Sequence, residues 1–414
     1  MILNKLKNKE FIYTFLFQFT SLVGGIVLIK LLAVYLPKED YGYYSLINSI
    51  IAFVLMMPFT ALLQGVNRYV SIYNQRNEFK EFLSSVLILF VTILLIYLII
   101  FLIVYVLYSH IFFNWKDLIF YIIILSISDV FKAFFYSINN AKRDRKNIFY
   151  AVCAEFSIKI IGVVILLHYL NIKYVLLVFI IAQFLSIVIM YAKNKQYIEF
   201  RFTKKSKIYI LRVFYFAMPL IVWAIFGWFR DMSNRWYLDY FLTKNEVALF
   251  AMINSIAIIT PTALQGLIGG FFIPILYEKE NQEKGYTKKF LLKLLPVLLV
   301  LFLVSFVIVY FFKEQIILII ADKKYLEISW MLPWMFLIYS FYVIAMISTY
   351  EIFAHKQTKK LLIPTIIPGI VSIIGGYFLI KFYGINGALY NFTITYLIYS
   401  FMVFYVVIKY WRNK

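Results

Sequence analysis

Cysteine and histidine are scarce in this 414-residue sequence. Cys153 is its single cysteine, which excludes a disulfide framework and a zinc site built from cysteines. The three histidines, His110, His168 and His355, are far apart, so the sequence predicts no metal site. It also contains no Walker loop for ATP and no Ser-His-Asp constellation. We therefore predict that the chain is not an enzyme and uses no cofactor.

Charged residues are also few. Asp, Glu, Lys and Arg make up 15% of the chain, whereas 64% of it is hydrophobic and the mean hydropathy is +0.85. Soluble domains carry roughly a quarter charged residues. The excess apolar surface does not fit inside a water-soluble core, and no polar stretch is long enough to form a soluble domain. The chain is therefore predicted to be an integral membrane protein.

Apolar runs long enough to cross a bilayer recur along the whole chain. A spanning helix needs about 20 mostly apolar residues. The first run is too long for the apolar region of a signal peptide and lacks a cleavage site, so it is predicted to be retained. We predict an all-α fold with about twelve spans, at residues 11–36, 44–67, 82–109, 117–138, 148–168, 172–192, 212–240, 246–276, 290–313, 328–353, 361–380 and 385–408. Proline can bend such helices, and prolines stand at 58, 219, 261 and 274.

The positive charge alternates between the two sides of these spans. The formal net charge is +21, and 28 Lys and Arg fall in the termini and loops of one side against eight on the other. Basic loops mark the cytoplasmic side, so both termini are predicted to be cytoplasmic. There the loops would face anionic membrane lipids. This placement explains most of the charge without nucleic acid as a partner.

A weak internal repeat relates the two halves of the sequence. Residues 35–50 align with 241–256, and both segments contain Ile-Asn-Ser-Ile. Further on, Thr-Ala-Leu-Leu-Gln-Gly at 60–65 matches Thr-Ala-Leu-Gln-Gly at 262–266. The matches occur in the same order at the same place in each half. With six spans per half, they predict two parallel six-helix repeats.

The predicted domains follow from this repeat and from the densest basic loop. They are an N-terminal six-helix lobe at 1–195, a basic cytoplasmic linker at 196–211 and a C-terminal six-helix lobe at 212–414.

The fourth and fifth spans carry opposite charges at matching depth. A charge at mid-bilayer costs at least about 2.5 kcal/mol, so each needs a reason. In an antiparallel hairpin, Asp129 would lie level with Lys159, and Lys132 with Glu155. The main interpretation is a structural clamp of two ion pairs. The alternative is a proton or cation site at Asp129 or Glu155.

The seventh span carries four charges, and the first span carries Lys30. The spacing predicts that Arg235 pairs along one face with Asp231 and Asp239, each four residues away. That would leave Arg230 without a local partner. Lys30 and Arg230 either extend to the outer interface or face a water-filled cavity and hold an anion.

Four amides occupy repeat-related positions in the second and eighth spans. They are Asn48, Gln64, Asn254 and Gln265. Interhelical hydrogen bonding is their usual role, and a shared cavity wall is the alternative.

Several short segments carry a family resemblance. They are Leu-Pro-Lys-Glu-Asp-Tyr-Gly at 36–42, the terminal Arg68 of the second span, Ala-Met-Pro at 217–219 and Tyr-Gly-Ile-Asn-Gly-Ala at 383–388. The chain resembles the polysaccharide transporters, the Wzx-type O-antigen flippases of the multidrug/oligosaccharidyl-lipid/polysaccharide (MOP) superfamily. The similarity extends over essentially the whole chain.

The resemblance implies a MATE-like fold of two pseudo-symmetric lobes around a central cavity. Members move undecaprenyl-diphosphate-linked oligosaccharides, the repeat units of O-antigen, capsule or exopolysaccharide, across the bacterial inner membrane by ion-coupled alternating access. The implied partners are the lipid-linked oligosaccharide, a coupling proton or sodium ion, and glycan polymerase machinery. Lys30, Arg230 and Arg235 lie on spans that line the cavity in this family, where they would bind the diphosphate with the four amides.

Three other functions are found among membrane proteins with many helices. A multidrug or cation antiporter of the same superfamily favours acidic cavity residues, whereas the unpaired cavity charges expected here are basic. A lipid II flippase usually has more than twelve helices. A membrane-embedded glycan polymerase or ligase, from a different functional class, generally needs a large outer loop, and none is predicted.

Overall fold

The computed structural model describes residues 9–108, 115–199, 201–355 and 357–412. Within these residues, every regular element is a helix. The α-helices in chain order are α1 (Lys9–Tyr35), α2 (Lys38–Val54), α3 (Ala61–Gln75), α4 (Phe79–Leu107), α5 (Ile119–Ala141), α6 (Arg145–Ile165), α7 (Ile172–Ala192), α8 (Ser206–Phe241), α9 (Lys244–Gln282), α10 (Tyr286–Phe311), α11 (Lys313–Ile320), α12 (Met331–Ser348), α13 (Tyr350–Ala354) and α14 (Leu362–Arg412). The predicted end of the third span at residue 109, His110, Lys5, Lys7, Lys356 and Lys414 lie outside the described residues.

Eleven helical stretches in the described part of the chain are long and apolar enough to cross a membrane. The last of them contains two passes, because α14 is interrupted at Gly384, whose φ of +56° and ψ of −135° are not helical. Beyond this turn, Asn391 returns to donate a hydrogen bond to the carbonyl of Ser372, at 3.1 Å. Gly387 lies so close to the carbonyl of Leu379 that a Cβ there would overlap it. The structure therefore agrees with twelve predicted passes.

Of the prolines predicted to bend a span, Pro58 lies at a break in the helix, whereas Pro219 and Pro261 do not interrupt theirs. The stretch Lys38–Gln75 contains a π-helical segment, Leu55–Thr60, in which Met57 before Pro58 has non-helical backbone angles (φ −118°, ψ 109°). This second span is longer than the predicted 44–67. By contrast, α8 continues through Pro219 and α9 continues through Pro261.

The chain forms two compact units. Unit 1 comprises Met1–Leu31 and Ile47–Ala224, and unit 2 comprises Leu32–Leu46 and Ile225–Lys414. These units differ from the predicted lobes, because the end of α1 and the start of α2 belong to unit 2 and the division in α8 follows Ala224. The lobes defined by the sequence repeat remain a prediction.

The predicted basic linker at 196–211 is packed within unit 1. Tyr209 is buried and its ring lies 4.8 Å from that of Tyr73. Lys205 forms an ion pair of 2.6 Å with Glu78, and this contact lowers the pKa of the Glu78 carboxyl. These contacts attach the described part of the segment to the rest of unit 1, and its role as a cytoplasmic linker remains a prediction.

Each unit has its own aromatic and aliphatic core. In unit 1, the Phe59 ring packs 5.1 Å from Phe90, which packs 5.2 Å from Phe134. In unit 2, one cluster of buried residues includes Ile352, Tyr399 and Val403. These cores fix the helices that carry the charged residues described next.

Candidate functional site

Unit 1 contains a continuous cluster of charges between α5 and α6. Lys132 Nζ lies 3.1 Å from Asp129 Oδ1 and 3.2 Å from Glu155 Oε1. Lys159 Nζ lies 2.5 Å from the same Glu155 oxygen. The pair of Asp129 and Lys132 lies within α5, and the pair of Glu155 and Lys159 lies within α6. Their spacings of three and four residues bring the paired side chains onto one face of each helix. Two acidic and two basic groups thus neutralise each other.

The predicted depth matching is only partly present in this cluster. The contact between Lys132 and Glu155 is there, but Lys159 bonds Glu155, one turn before it on α6, instead of Asp129. Asp129 accepts a hydrogen bond of 3.3 Å from Gln183 Nε2 on α7, and Gln183 in turn accepts one from Ser128. The sequence did not indicate Gln183, because a single amide in an apolar span does not reveal which residue it will bond.

Arg230 in unit 2 is held by its neighbour in the chain. Its Nε lies 2.7 Å from Asp231 Oδ1 and a terminal nitrogen lies 3.1 Å from Oδ2. The guanidinium carbon lies 5.0 Å, 5.3 Å and 4.7 Å from the ring centroids of Tyr342, Tyr396 and Tyr399. Tyr396 also donates a hydrogen bond of 2.6 Å to Asp231. The prediction that Arg230 has no local partner was therefore wrong.

Arg235 lies five residues after Arg230 on α8 and, unlike Arg230, is not paired with a carboxylate in the described part of the chain. Among the described residues, no acidic oxygen lies within ion-pair distance of it, and its Nε is buried without a hydrogen bond. Its Nη1 donates to the sulfur of Met232, at 2.5 Å. The predicted pairs with Asp231 and Asp239 are absent, because Asp231 bonds Arg230 and Asp239 bonds Lys244.

Tyrosines surround this arginine. Tyr339, Tyr41 and Tyr396 are near enough to act on its charge, as is the Asp231 carboxylate that pairs with Arg230. Tyr339 also donates a hydrogen bond of 2.6 Å to Asn254 Oδ1 on α9. One predicted amide thus lies in the same tyrosine-rich region of unit 2 as Arg235.

The other predicted binding residues are distributed along both units. Lys30 is half-buried on α1, Asn48 is half-buried on α2 and Gln265 is half-buried on α9. Gln64 is exposed on α3, one turn before the exposed Arg68. An amide on the outside of a spanning helix favours contact with water over lipid.

A buried polar network in unit 2 was not predicted. Asn391 Nδ2 donates a 2.7 Å hydrogen bond to Asn234 Oδ1, and the hydroxyls of Ser233 and Ser372 are 2.8 Å apart. The signal was present in the sequence as adjacent Ser233 and Asn234 within a span. Another group, Glu280, Glu351 and His355, has ligand atoms close enough together to hold a metal ion.

Sequence comparison relates the chain to a known family. A profile of the family described as polysaccharide biosynthesis protein matches residues 8–280, more than half of the chain. No curated protein matches it in sequence.

Solved structures share its fold at low sequence identity. Lipid II flippase MurJ in an inward closed conformation has a TM-score of 0.72 at 21% identity, covering 96% of this chain and 86% of that one. An inward-facing multidrug resistance MATE family transporter of the MOP superfamily has a TM-score of 0.70 at 14% identity, covering 93% and 92%. A mutant of the Vibrio cholerae MATE transporter VcmN has a TM-score of 0.66 at 13% identity, covering 97% of each chain.

The sequence profile and the fold agree with each other. The structural neighbours confirm the predicted all-α, MATE-like membrane fold, and the profile supplies the connection with polysaccharide biosynthesis. The chain belongs to the polysaccharide biosynthesis protein family, as a multi-pass membrane protein with the fold of MOP-superfamily transporters.

Proposed function

We propose that this protein is a flippase for undecaprenyl-diphosphate-linked oligosaccharide, the repeat unit of O-antigen, capsule or exopolysaccharide. It would act in the bacterial inner membrane, with both termini in the cytoplasm, and deliver its product to glycan polymerase machinery. Arg235 is the observation that carries the proposal. Its guanidinium lies on a membrane-spanning helix, its Nε is buried, and no carboxylate among the described residues pairs with it.

The chemistry of a diphosphate fits this arginine. A cation within a bilayer is costly unless an anion or water compensates it. Guanidinium binds phosphate oxygens through two parallel hydrogen bonds, which adds geometric specificity to the charge. A bound diphosphate would therefore stabilise Arg235 as well as anchor the substrate.

The surrounding residues suit a sugar-bearing head group. Tyrosine combines an apolar ring with a hydroxyl, and Tyr41 and Tyr339 both lie near Arg235. We assign Asn254 to the same region, since Tyr339 bonds it. Lys30, on α1 in unit 1, keeps its predicted role as a cation for the transported head group.

The remaining predicted site residues receive different roles. Asn48, Gln64 and Gln265 would contribute hydrogen bonds to the transported head group. Arg230 is assigned a structural role, because Asp231 and three tyrosines already hold it.

Alternating access is the mechanism that the fold supports. A sugar diphosphate cannot cross about 30 Å of hydrocarbon unaided. Transporters built from repeated bundles expose one site to each side of the membrane in turn. We propose that a proton or sodium gradient drives this cycle here.

The charge cluster of unit 1 is assigned as a clamp between α5 and α6. Its four groups bond one another and their charges cancel, which favours a structural role over an ion-binding one. Asp129 and Glu155 remain the residues to test for coupling, because they are the acidic groups of this cluster.

The proposal can be tested with purified protein in liposomes. A fluorescent undecaprenyl-diphosphate oligosaccharide is placed in one leaflet, and its transfer is followed under imposed proton or sodium gradients. Arg235→Ala should lower the rate at least about tenfold, equivalent to about 1.4 kcal/mol. Arg235→Lys should be intermediate, since lysine keeps the charge but not the paired hydrogen bonds.

Lys381→Ala is the matched control, because Lys381 is an exposed cation of unit 2 on α14. Its transfer rate should equal that of the wild type. Undiminished transfer by Arg235→Ala would reject the site, and no transfer by the wild type under either gradient would reject the flippase. Gradient-dependent transport of an organic cation instead would favour the antiporter, and elongation of the glycan would favour the polymerase.

A further inference from the structure

Unit 2 brings two carboxylates and an imidazole together away from the residues assigned to transport. Glu280 lies near the end of α9, Glu351 lies on α13, and His355 directly follows α13. One ligand atom from each lies within 4.8 Å of the others. Sequence analysis predicted no metal site here, because Glu280 is distant in the chain and His355 is an isolated histidine.

The turn of α13 places two of these side chains on one face. The amide of His355 donates a hydrogen bond of 3.0 Å to the carbonyl of Glu351, four residues earlier. Side chains four residues apart on a helix lie one above the other. This is the spacing at which two helical residues can ligate one metal ion.

Both carboxylates are buried and oriented by donors. Glu351 is 0% exposed and Glu280 is 5% exposed. The amides of Gly285 and Thr287 donate to the two oxygens of Glu280, at 2.8 Å and 2.7 Å. Trp411 Nε1 donates to Glu351 Oε2, at 2.5 Å. Such contacts orient the ligands of protein metal sites.

Thr287 adds an independent observation. The residue is fully buried, and its hydroxyl makes no hydrogen bond of normal geometry. Because the amide of the same residue donates to Glu280 Oε2, this hydroxyl is a further buried oxygen beside the carboxylate.

We propose that Glu280, Glu351 and His355 bind a divalent transition-metal ion of the zinc type, with the Thr287 hydroxyl beside it. His355 Nε2 and Glu280 Oε1 are 3.1 Å apart. Two ligands of a tetrahedral zinc ion with bonds near 2.0 Å are about 3.3 Å apart. Imidazole among the ligands favours zinc over magnesium or calcium, which prefer oxygen alone.

The bound ion would join α9 to α13 within unit 2. Through the hydrogen bond from Trp411, it would also reach the end of α14. The positive-charge pattern predicts that this end of the unit faces the cytoplasm. Metal binding here is independent of the transported substrate, so the site can be tested without a transport assay.

The test uses the full chain in detergent, with any affinity tag removed. The protein is titrated with Zn²⁺, and bound metal is measured by mass spectrometry after buffer exchange. The wild type should retain one ion. Glu351→Gln and His355→Asn should each weaken binding at least about tenfold, and Trp411→Phe should weaken it by about 10- to 100-fold, as losses of ligand-orienting contacts do.

His168→Asn and Glu283→Gln are the matched controls, since both side chains are exposed. They should bind zinc like the wild type. Zinc should also raise the unfolding temperature of the wild type but not of His355→Asn, whose metal-free unfolding transition shows whether it is folded.

Several outcomes would overturn the site. One is a wild type that retains no zinc, and another is full retention by His355→Asn or loss in His168→Asn. A preference for Mg²⁺ or Ca²⁺ over Zn²⁺ would overturn the proposed class of ion. The visible spectrum of the Co²⁺-loaded wild type provides a readout that needs no variant. The weak absorption of an octahedral ion, instead of the stronger absorption of a four-coordinate one, would contradict the proposed zinc-type site.

Discussion

Gly42 at the start of α2 packs against the backbone carbonyl of Lys244 at the start of α9, both within unit 2. The sequence repeat aligns Lys38 with Lys244, so the two contacting segments are the ones that the repeat relates. The approach is so close that a Cβ at Gly42 would overlap the carbonyl. Nearby, the Lys244 ammonium lies 5.0 Å from the Tyr43 ring, and Lys38 pairs with Glu327 at 2.6 Å.

The first prediction concerns this close contact. Gly42→Ala should destabilise the protein by about 1–3 kcal/mol, because overpacking against backbone requires the helices to move apart. Thermal unfolding in detergent measures the effect. Gly25→Ala is the control, since a Cβ at Gly25 meets nothing within 4 Å. Equal unfolding temperatures for the two variants would contradict the contact.

The second prediction concerns the buried pair in α8. Asp231→Asn should reduce the free energy of unfolding by about 3 kcal/mol, because it leaves the Arg230 cation buried without its carboxylate. The value is at the lower end of the usual range, since the Asp231 side chain is 29% exposed. Denaturant unfolding of Asp231→Asn, Arg230→Gln and the double variant forms a thermodynamic cycle. Strictly additive effects would show that the two groups do not interact.

The third prediction separates a clamp from a coupling site in unit 1. Glu155→Gln should lower stability by about 3 kcal/mol, since Lys159 then loses its ion-pair partner in the membrane. The added change Lys159→Met should recover stability, because it removes the uncompensated cation. Unfolding and ion-driven transfer are measured together. Unchanged stability with complete loss of coupling would instead identify Glu155 as an ion site.

The fourth prediction concerns the end of α1. Lys324 Nζ donates hydrogen bonds to the carbonyls of Leu36, at 2.7 Å, and Val34, at 3.4 Å. These contacts hold the ammonium group partly away from water, and this burial lowers the pKa of Lys324. Lys324→Met should therefore destabilise unit 2 by about 1.5 kcal/mol, the lower range for a hydrogen bond to a charged group.

Lys323→Met is the control for this change, because Lys323 is an exposed neighbour in the same 3-10 segment, Lys323–Ile328. Hydrogen exchange at the end of α1 should increase in Lys324→Met only. The same protection in both variants would show that the contact does not hold this helix end.

Membrane class, helix content and number of passes could be read from the sequence. These properties depend on local windows, since bilayer thickness sets the length of an apolar run and loop charge sets its orientation. Even so, only the tertiary structure located the turn at Gly384 and the break before Pro58. At the second of these, Tyr97 of α4 donates a hydrogen bond to the carbonyl of Met57, a contact between residues that are 40 positions apart.

The partners of individual charges could not be predicted in the same way. Helical spacing predicted an ion pair between Asp231 and Arg235. Asp231 instead forms an ion pair with Arg230 and accepts a hydrogen bond from Tyr396. The rings that hold Arg230 come from α12 and α14, far away in the chain. Likewise, Glu280 meets His355 only after α9 and α13 have packed.

Sequence by itself thus determined that this chain is inserted in a membrane and crosses it repeatedly. The reason is that the free energy of transfer from water to the bilayer is a sum over adjacent residues. Tertiary structure alone decided which buried cation remains without a carboxylate and can bind an anion, because side chains from distant helices compete to form the ion pairs. In a medium of low dielectric, the outcome of that competition separates a structural arginine from one that can bind an anion.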